Sequence, residues 1–321
     1  MASSAFVWWR ALAHGHLLPG TVPILRRVHA VHAVPVLALL IAGCRDAPPR
    51  RGAVRVDDFG EPVRRGSAVS PSRIVSLMPA TTELLFAIGA GPRVVGRTPW
   101  DLWSDSARRI ADAGVGLRPN IEAVLARKPD LVLLYAAGEN HAAAQALHAA
   151  GVPVIALRID RLEDFRRAAR LIGMATGDSA RAATVVDSVD RTLARVRSAT
   201  AGLPRPTVFW HVWDAPIITI GRGSFLDQLL TIAGGRNVYE DLSQPSPQVS
   251  IEDIVRRDPD VILAGPDGAA RIRASTTWRA VRAARTGHVL VVDTSLIGHP
   301  SVRMGEAAVV LARLLHPGAM P

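Results

Sequence analysis

The chain of 321 residues contains a single cysteine, Cys44, and a single lysine, Lys128. One cysteine excludes an intrachain disulfide and any zinc or iron–sulfur site built from several thiolates. The basic residues are otherwise arginines, spread along the chain and mixed with 28 acidic residues. The formal net charge of +10 therefore indicates a solvated surface and no nucleic-acid partner, because no long basic run is present.

Short signatures of the common enzyme classes are also missing. There is no Gly-x-Ser-x-Gly elbow, no phosphate loop, no His-Glu-x-x-His and no dinucleotide-binding fingerprint. Residues 221–224 (Gly-Arg-Gly-Ser) could hold a phosphate at a helix start, but a glycine-rich connection is the more ordinary explanation. The pair Asp57-Asp58 lies in a segment without periodicity, where nothing would fix its geometry for acid–base work. We expect a binding protein and not an enzyme.

The amino-terminal segment has the features of an export signal. Residues 1–43 hold three arginines and no acidic residue, and they end in an apolar run at residues 34–42. That run is too short to span the roughly 30 Å of hydrocarbon in a bilayer. With Gly43 and Cys44 after it, the run is typical of a lipoprotein signal, in which the thiol receives the lipid. We predict a signal peptide at residues 1–43, a lipid on Cys44 and a flexible tether at residues 44–72.

The middle of the chain, residues 178–200, has helical periodicity. Charged residues fill the positions between an apolar stripe that consists of Val185, Val189, Leu193 and Val196. Gly202 and Pro204 follow as a stop signal. At about 1.5 Å per residue, the stretch predicts a rod of roughly 35 Å, which is long enough to span a domain.

The segments on either side of this rod resemble each other. Residues 119–134 (PNIEAVLARKPDLVLL) return as residues 249–264 (VSIEDIVRRDPDVILA), and residues 83–91 return in the same order as residues 227–235. Two such pairs indicate an internal duplication into two similar lobes. Strand and helix patterns alternate in both halves, so each lobe is predicted to be α/β, with a parallel sheet covered by helices.

The predicted domains follow from this duplication. An N-terminal lobe at residues 73–160 and a C-terminal lobe at residues 205–316 flank a helical connection at residues 161–204, and residues 317–321 form a tail. Ligands of open α/β sheets bind at the carboxyl ends of the strands. Two such lobes that face each other are therefore expected to enclose a ligand cleft.

Four stretches resemble the class III, or helical-backbone, substrate-binding proteins of ABC importers. They are residues 73–83 (RIVSLMPATTE), the repeated motif, residues 247–250 (PQVS) and residues 300–303 (PSVR). The resemblance runs from about residue 73 to residue 315 and is greatest to the cobalamin-binding members. It implies two lobes on one rigid helix that bind a large metal chelate and pass it to a permease and ATPase complex.

The resemblance favours a corrinoid as the ligand, carried by a monomeric, exported and lipid-anchored protein without a cofactor of its own. A haem or ferric-siderophore binding protein of the same family is the alternative. The alternative from another class is a surface enzyme or an adhesion module on the same two lobes.

The resemblance also implies site residues. Glu122 and Glu252 match two glutamates that dock on arginine pockets of the permease, and first-turn carboxylates at equivalent points of two lobes suit a two-fold partner. The cleft positions of the family fall on Pro79, Trp100, Asp101, Arg118, Tyr135, Trp210, His211, Trp213, Ser246, Ser295 and His299.

Aromatic and imidazole side chains carry the chemistry of these positions. Trp100 and Tyr135 keep an aromatic ring where the cobalamin binders have one, whereas Ser246 stands where a tryptophan is usual. Large flat ligands are held by aromatic faces, and Trp210 and Trp213 are candidates for the missing face. Imidazole binds cobalt and iron, so two histidines are candidate axial ligands, namely His211 and His299.

Overall fold

A computed structural model describes residues 55–63 and 70–318 of the chain. The predicted signal peptide and Cys44 lie outside these residues. Within the described part of the chain, no helix is both long enough and apolar enough to cross a membrane.

The N-terminal lobe is built on a parallel sheet with the strand order β2-β1-β3-β4. The strands are β1 (Ile74–Ser76), β2 (Val94–Gly96), β3 (Leu131–Tyr135) and β4 (Val154–Leu157). The helices are α1 (Pro79–Ala87), α2 (Asp105–Arg108), α3 (Ile121–Leu125) and α4 (His141–Ala149), with 3-10 turns at Gly91–Arg93 and Gly138–Asn140. All residues of the central strand β3 are buried, as expected for a sheet covered on both faces.

Two helices then connect the lobes. They are α5 (Leu162–Thr176) and α6 (Ser179–Thr200). The rod α6 has 22 residues, so it is about 33 Å long, close to the predicted length. Its buried face consists of Ala182, Val189, Leu193, Val196 and Thr200, and the predicted Val185 is half-buried.

The C-terminal lobe has a second parallel sheet with the order β10-β9-β5-β8 and a two-stranded antiparallel hairpin. The strands are β5 (Thr207–His211), the hairpin strands β6 (Trp213–Asp214) and β7 (Ile217–Ile218), β8 (Arg236–Asn237), β9 (Val261–Ala264) and β10 (Val289–Val291). The helices are α7 (Phe225–Ile232), α8 (Ile251–Arg257), α9 (Pro266–Ala274), α10 (Arg282–Arg285), α11 (Thr294–Ile297) and α12 (Met304–Leu315), with a 3-10 turn at Thr277–Ala280.

The predicted pair of similar α/β lobes is confirmed by the topology. Read from β8, the second sheet runs β8-β5-β9-β10, which is the order of the first sheet with each strand replaced by its repeat. The likeness extends to single hydrogen bonds. Asp130 Oδ2 accepts from Ser72 N and Oγ at 2.8 Å each, and Asp260 Oδ2 accepts from Thr207 N at 2.8 Å and Oγ1 at 2.7 Å.

Residues 55–63, which we name the strap, differ from the predicted flexible tether. Val56 and Pro62 pair in an antiparallel bridge, and the carboxylate of Asp57 accepts the backbone N–H groups of Phe59 and Glu61 at 2.9 Å each. Asp57 is buried, and the strap packs on the N-terminal lobe. The geometry of Asp57 and Asp58 is therefore fixed, contrary to the prediction, because both bind backbone groups of the lobe.

Helix α9 begins at Pro266, directly after Gly265. In the structure the proline stands in the first turn of the helix, where its missing N–H costs nothing. The next helical segment, residues 277–285, consists of the 3-10 turn at Thr277–Ala280 and α10.

We expect Leu193→Ala to lower the free energy of unfolding by about 2–5 kcal/mol, because it opens a cavity where α6 meets the core. Leu193 is only 3% exposed. Arg191→Ala, on the exposed face of the same helix, is the matched control and should change the value by no more than about 0.5 kcal/mol. Urea unfolding followed by circular dichroism measures both, and equal effects of the two substitutions would contradict the packing role of α6.

Candidate ligand site between the lobes

A cavity of about 850 Å³ lies between the two lobes. Its N-terminal wall comes from the segments that follow β1, β2, β3 and β4. Its C-terminal wall comes from the start of α7, from Pro245 and Ser246, and from residues 294–303. The carboxyl ends of the N-terminal strands thus point at the cavity, as expected for open α/β sheets. Cavities for drug-sized molecules measure about 300–1,000 Å³, so this one suits a bulky ligand.

Aromatic side chains of both lobes line the cavity. Trp100, Trp103 and Tyr135 come from the N-terminal lobe and Phe225 from the C-terminal lobe. The guanidinium of Arg303 lies 5.6 Å from the ring centroid of Trp103, a cation–π contact between the lobes. The walls can therefore hold a large flat ligand by its faces.

The charge of the cavity lining is positive. Its arginines are Arg108, Arg158, Arg161, Arg222 and Arg303, and its carboxylates are Glu83, Glu139 and Asp160. Guanidinium groups form strong hydrogen bonds with carboxylate and phosphate oxygens. The lining therefore favours a ligand that carries anionic groups at its edge.

Tyr135 is held as a neutral donor. Its hydroxyl donates to Asp160 at 2.9 Å (Oδ1) and 3.1 Å (Oδ2). Burial and then the charge of Asp160 raise the pKa of Tyr135 far above its usual range. Burial also raises the pKa of Asp160, while the hydrogen bond from Tyr135 opposes this shift. Tyr135 thus keeps its proton at neutral pH and offers its ring face, not a phenolate, to a ligand.

A histidine and a carboxylate meet between the lobes. Nε2 of His299, which follows α11, lies 3.0 Å from Oε1 of Glu83 on α1. Glu83 is buried, with 3% of its surface exposed. A carboxylate that binds one ring nitrogen orients the ring and increases the basicity of the other nitrogen. The geometry leaves Nδ1 of His299 as the nitrogen that a metal could take.

Six of the eleven cleft residues predicted from the sequence line the cavity. They are Pro79, Trp100, Tyr135, Ser246, Ser295 and His299. The other five lie outside the lining, namely Asp101, Arg118, Trp210, His211 and Trp213. Asp101 follows Trp100 in the chain but is buried, and its Oδ2 accepts from Thr98 N at 2.7 Å and Thr98 Oγ1 at 2.5 Å. Burial raises the pKa of Asp101.

His211 is a core residue and not a residue of the cleft, so the structure corrects its prediction as a ligand or metal-binding residue. Its ring packs edge-on against Trp278, with centroids 5.8 Å apart, and contacts α9 at Gly268, where a Cβ would lie 2.8 Å from Nδ1. Nε2 lies 2.9 Å from Asp214 Oδ1. Burial lowers the pKa of His211, which favours the neutral ring.

Two tryptophans and an arginine complete the set outside the lining. Trp210 is 3% exposed and belongs to the core on the opposite face of β5 from His211. Trp213 is half-buried in the β6–β7 hairpin, where Nε1 donates to the carbonyl of Ala215 at 3.2 Å. Arg118 is exposed in a loop with φ of 54°, and its N–H donates to Asn140 Oδ1 at 3.0 Å.

Several lining residues were not predicted. Trp103 carried no repeat or strand signal, although it stands three positions after Trp100. Glu83 opens the repeated segment at residues 83–91, but its partner there is Asp227, and nothing in the repeat indicated that Glu83 faces the cavity. Arg158 and Arg161 follow β4 directly, so the rule that strand ends face the ligand could have found them.

The Gly-Arg-Gly-Ser stretch before α7 also reaches the cavity. Two of the N–H groups around this helix start are already bound. Gly223 N donates to Asp227 Oδ2 at 2.7 Å, and Asp227 N donates to Ser224 Oγ at 3.3 Å. These bonds agree with an ordinary capped helix start and not with a phosphate loop.

Among the described residues, no group of three or more His, Cys, Asp or Glu side chains is placed to hold a metal ion. A chelated metal needs fewer protein ligands, since the chelate supplies most of the coordination itself. A single imidazole, that of His299, is consistent with a ligand of that kind.

The two lobes, the single long helix and the interlobe cavity together define a class III binding protein of ABC importers. Residues 74–296 match the family described as "Periplasmic binding protein", and the chain belongs to this family. The interpretation of the chain as a binding protein, and not an enzyme, is thereby confirmed.

Two curated relatives and one solved structure illustrate the similarity. A cobalamin-binding protein of Halobacterium salinarum is 29% identical over 260 residues, 77% of this chain and 70% of the relative. An uncharacterized ABC transporter substrate-binding lipoprotein of Bacillus subtilis is 26% identical over 307 residues, 89% of this chain and 96% of the relative. The apo form of a periplasmic heme-binding protein from Roseiflexus sp. shares the fold, with a TM-score of 0.70 and 23% identity over 78% of this chain and 99% of that one.

The neutral, buried state of His211 generates a prediction about pH. Its pKa is lower in the folded protein than the ordinary value of 6.5, so the unfolded chain binds more protons below that value and stability falls as pH decreases. His211→Gln should remove this loss, so that wild type loses stability relative to the variant as pH falls below 6.5. Asp214→Asn removes the charge that opposes the shift and should extend the loss to lower pH. Urea unfolding at a series of pH values measures these differences, and parallel curves for wild type and His211→Gln would contradict the account.

Proposed function

We propose that the protein captures a corrinoid, a cobalamin-like cobalt chelate, and delivers it to an ABC importer. The observation that carries the proposal is the interlobe cavity of about 850 Å³ with aromatic faces on both walls, Trp100, Trp103 and Tyr135 on one side and Phe225 on the other. A macrocycle is both bulky and flat enough to use such walls. The cobalamin-binding relative supports the same ligand class.

Haem is the second candidate, and the surplus of arginine in the lining favours it. Haem carries two carboxylates at its edge, and Arg158, Arg161 or Arg222 could pair with them bidentately. His299 would supply the axial nitrogen through Nδ1, with Glu83 holding Nε2. Tyr135 is unsuited to that role, because its hydroxyl is bound to Asp160 and its pKa is raised.

Docking on the permease is assigned to Glu122 and Glu252. Both are exposed at the second position of short helices, α3 and α8, which Asn120 and Ser250 cap through bonds to Ala123 N and Asp253 N. Hydrogen bonds from its own N–H and from Ser250 lower the pKa of Glu252, so this carboxylate is charged at neutral pH. One monomer would thus present a carboxylate on each lobe to a two-fold symmetric transporter.

The lipid anchor on Cys44 belongs to the same proposal. The Bacillus relative, which aligns over most of this chain, is described as a lipoprotein, and this supports an exported protein held at the membrane. An anchored binding protein releases its ligand close to the importer that takes it up.

The first test is a titration of the purified protein with cyanocobalamin, cobinamide, hemin and a ferric siderophore, followed by tryptophan quenching and visible spectra. The corrinoids should bind most tightly. Trp100→Ala should weaken their binding about tenfold, about 1.4 kcal/mol, because the corrin ring loses the aromatic face on which it stacks. Trp213→Ala, a tryptophan outside the cavity, is the matched control and should leave the affinity unchanged. Tighter binding of hemin, with a Soret shift that His299→Ala removes, would contradict the corrinoid proposal and identify haem as the ligand.

The second test separates docking from capture. Glu122→Arg together with Glu252→Arg should abolish uptake in cells that carry the importer, because both docking charges are reversed, while the affinity for the chelate stays at the wild-type value. Asp187→Arg reverses the charge of one carboxylate, as each of these substitutions does, but on the exposed face of α6, and it should transport normally. Loss of ligand binding in the double variant would move the two glutamates from docking into the fold or the site.

A further inference from the structure

We propose that the strap supports the ligand site from outside the cavity, with Asp58 as a positioning residue that holds Arg158 in the cavity wall. The proposal deepens the proposed function, since it concerns how one wall of that cavity is fixed, and the identity of the ligand rests on the proposed function. Nothing in the sequence pattern of residues 55–63 indicates this role, because the segment shows neither helix nor strand periodicity.

The strap is seated on the edge of the N-terminal sheet. Strand β4 is the last strand of the order β2-β1-β3-β4, so one side of it has no strand partner within that sheet. The strap fills this side at Ala156. Asp58 N donates to the carbonyl of Ala156 at 2.9 Å, and Ala156 N donates to Asp57 Oδ2 at 2.8 Å. Both peptide groups of Ala156 at the open edge are thus paired, the carbonyl with a backbone N–H and the N–H with a carboxylate.

Two residues after Ala156, Asp58 holds both the N–H and the carbonyl of Arg158. Arg158 N donates to Asp58 Oδ2 at 2.7 Å. Arg167 on α5 donates from one Nη2 to the same Oδ2 at 2.8 Å and to the carbonyl of Arg158 at 3.1 Å. A single carboxylate oxygen therefore fixes the amide of Arg158 directly and its carbonyl through Arg167. Bonds to charged groups are short and directional, so they suit this clamping role.

Arg158 is the first residue after β4 and lines the cavity. Its side chain donates from Nη2 to the carbonyl of Ala136, the residue after β3, at 3.1 Å. The arginine therefore lies across the carboxyl ends of two neighbouring strands, beside the Tyr135–Asp160 pair. The strap thereby fixes the position of the Arg158 guanidinium, because Asp58 holds the backbone of Arg158, to which this side chain is attached.

The opposite face of the strap is attached by packing. Phe59 meets the ring of His141 at the start of α4, with centroids 5.0 Å apart, and Val63 belongs to the buried core. The turn itself is closed by Asp57, whose Oδ1 accepts from Phe59 N and Glu61 N. These contacts keep the strap in place independently of Asp58, so removal of the Asp58 side chain should release Arg158 without releasing the strap.

The first arm of the experiment needs no ligand. Amide hydrogen exchange of the whole protein is compared for wild type, Asp58→Ala and the control Glu61→Ala, an exposed carboxylate of the same turn that does not touch Arg158. Asp58→Ala should raise exchange at the Arg158 amide, while the Ala156 amide, bound to Asp57, stays protected. Glu61→Ala should change neither amide. An Arg158 amide that exchanges at the wild-type rate in Asp58→Ala overturns the clamp.

The second arm measures affinity for the chelate that wild type binds in the titration. Asp58→Ala should weaken binding about tenfold, about 1.4 kcal/mol, and should have no further effect when Arg158→Ala is already present. Equal weakening in both backgrounds, or none in either, would overturn the positioning role, since a general loss of stability does not depend on the arginine side chain.

Arg167→Ala is the second variant in case Asp58→Ala fails to fold. It removes the bonds from Arg167 to Asp58 Oδ2 and to the carbonyl of Arg158 and leaves the direct bond between Asp58 and the Arg158 amide. Its effect on affinity should show the same dependence on Arg158. If wild type binds none of the chelates, the proposed function fails, and the hydrogen-exchange arm still decides whether the strap clamps Arg158.

Discussion

The structure depends on the burial of one face of α6. This helix is long enough to reach both lobes, and its apolar stripe is buried in a core that continues from Leu133 in the first sheet through Leu193 to Leu230 and Leu311 in the second lobe. Apolar burial on this scale is the main stabilising contribution in folding. Because one core serves both lobes and the rod between them, the spacing of the lobes is set by packing and not by a flexible linker. The cavity is the gap that remains between the two lobes at this spacing.

Duplication explains why two lobes can share one ligand. Each lobe repeats the same sheet order, so each directs equivalent loops towards the other, and ligand contacts come from both sides of the gap. The repeats have nevertheless diverged at the wall. The N-terminal lobe contributes most of the aromatic rings, while the C-terminal lobe contributes Phe225, His299 and two arginines, Arg222 and Arg303. A flat ligand with different groups at its edges would find different partners on the two sides.

The sequence predicted well those elements that have a periodic pattern of apolar residues. The rod, the duplicated motif and the central strands β3 and β9 followed from apolar spacing, which the physics of burial imposes on any helix or strand. Periodicity did not predict which side of a buried strand each side chain faces. Successive residues of β5 point to opposite sides, and with helices on both sides either orientation is apolar, so the sequence alone did not show that His211 faces α9 and Trp278.

Contacts between distant polar residues were the other limit. Glu83 and His299 are 216 positions apart, and the strap binds β4 across about a hundred positions of chain. Such bonds depend on where the fold brings two segments together and leave no local pattern. Six predicted cleft residues line the cavity because they sit at the ends of strands or helices or in the loops beside them, where the architecture alone decides the direction.

The fixed spacing of the lobes can be measured directly by double electron–electron resonance between two spin labels. Spin labels would be attached at Ala149→Cys and Ala280→Cys, exposed positions on the two lobes, with the native Cys44 replaced by serine. The account predicts a single narrow distance distribution that shifts by no more than a few ångströms when the chelate is added. A broad or two-peaked distribution that collapses on ligand addition would contradict it, because the lobes would then move independently of the core around α6.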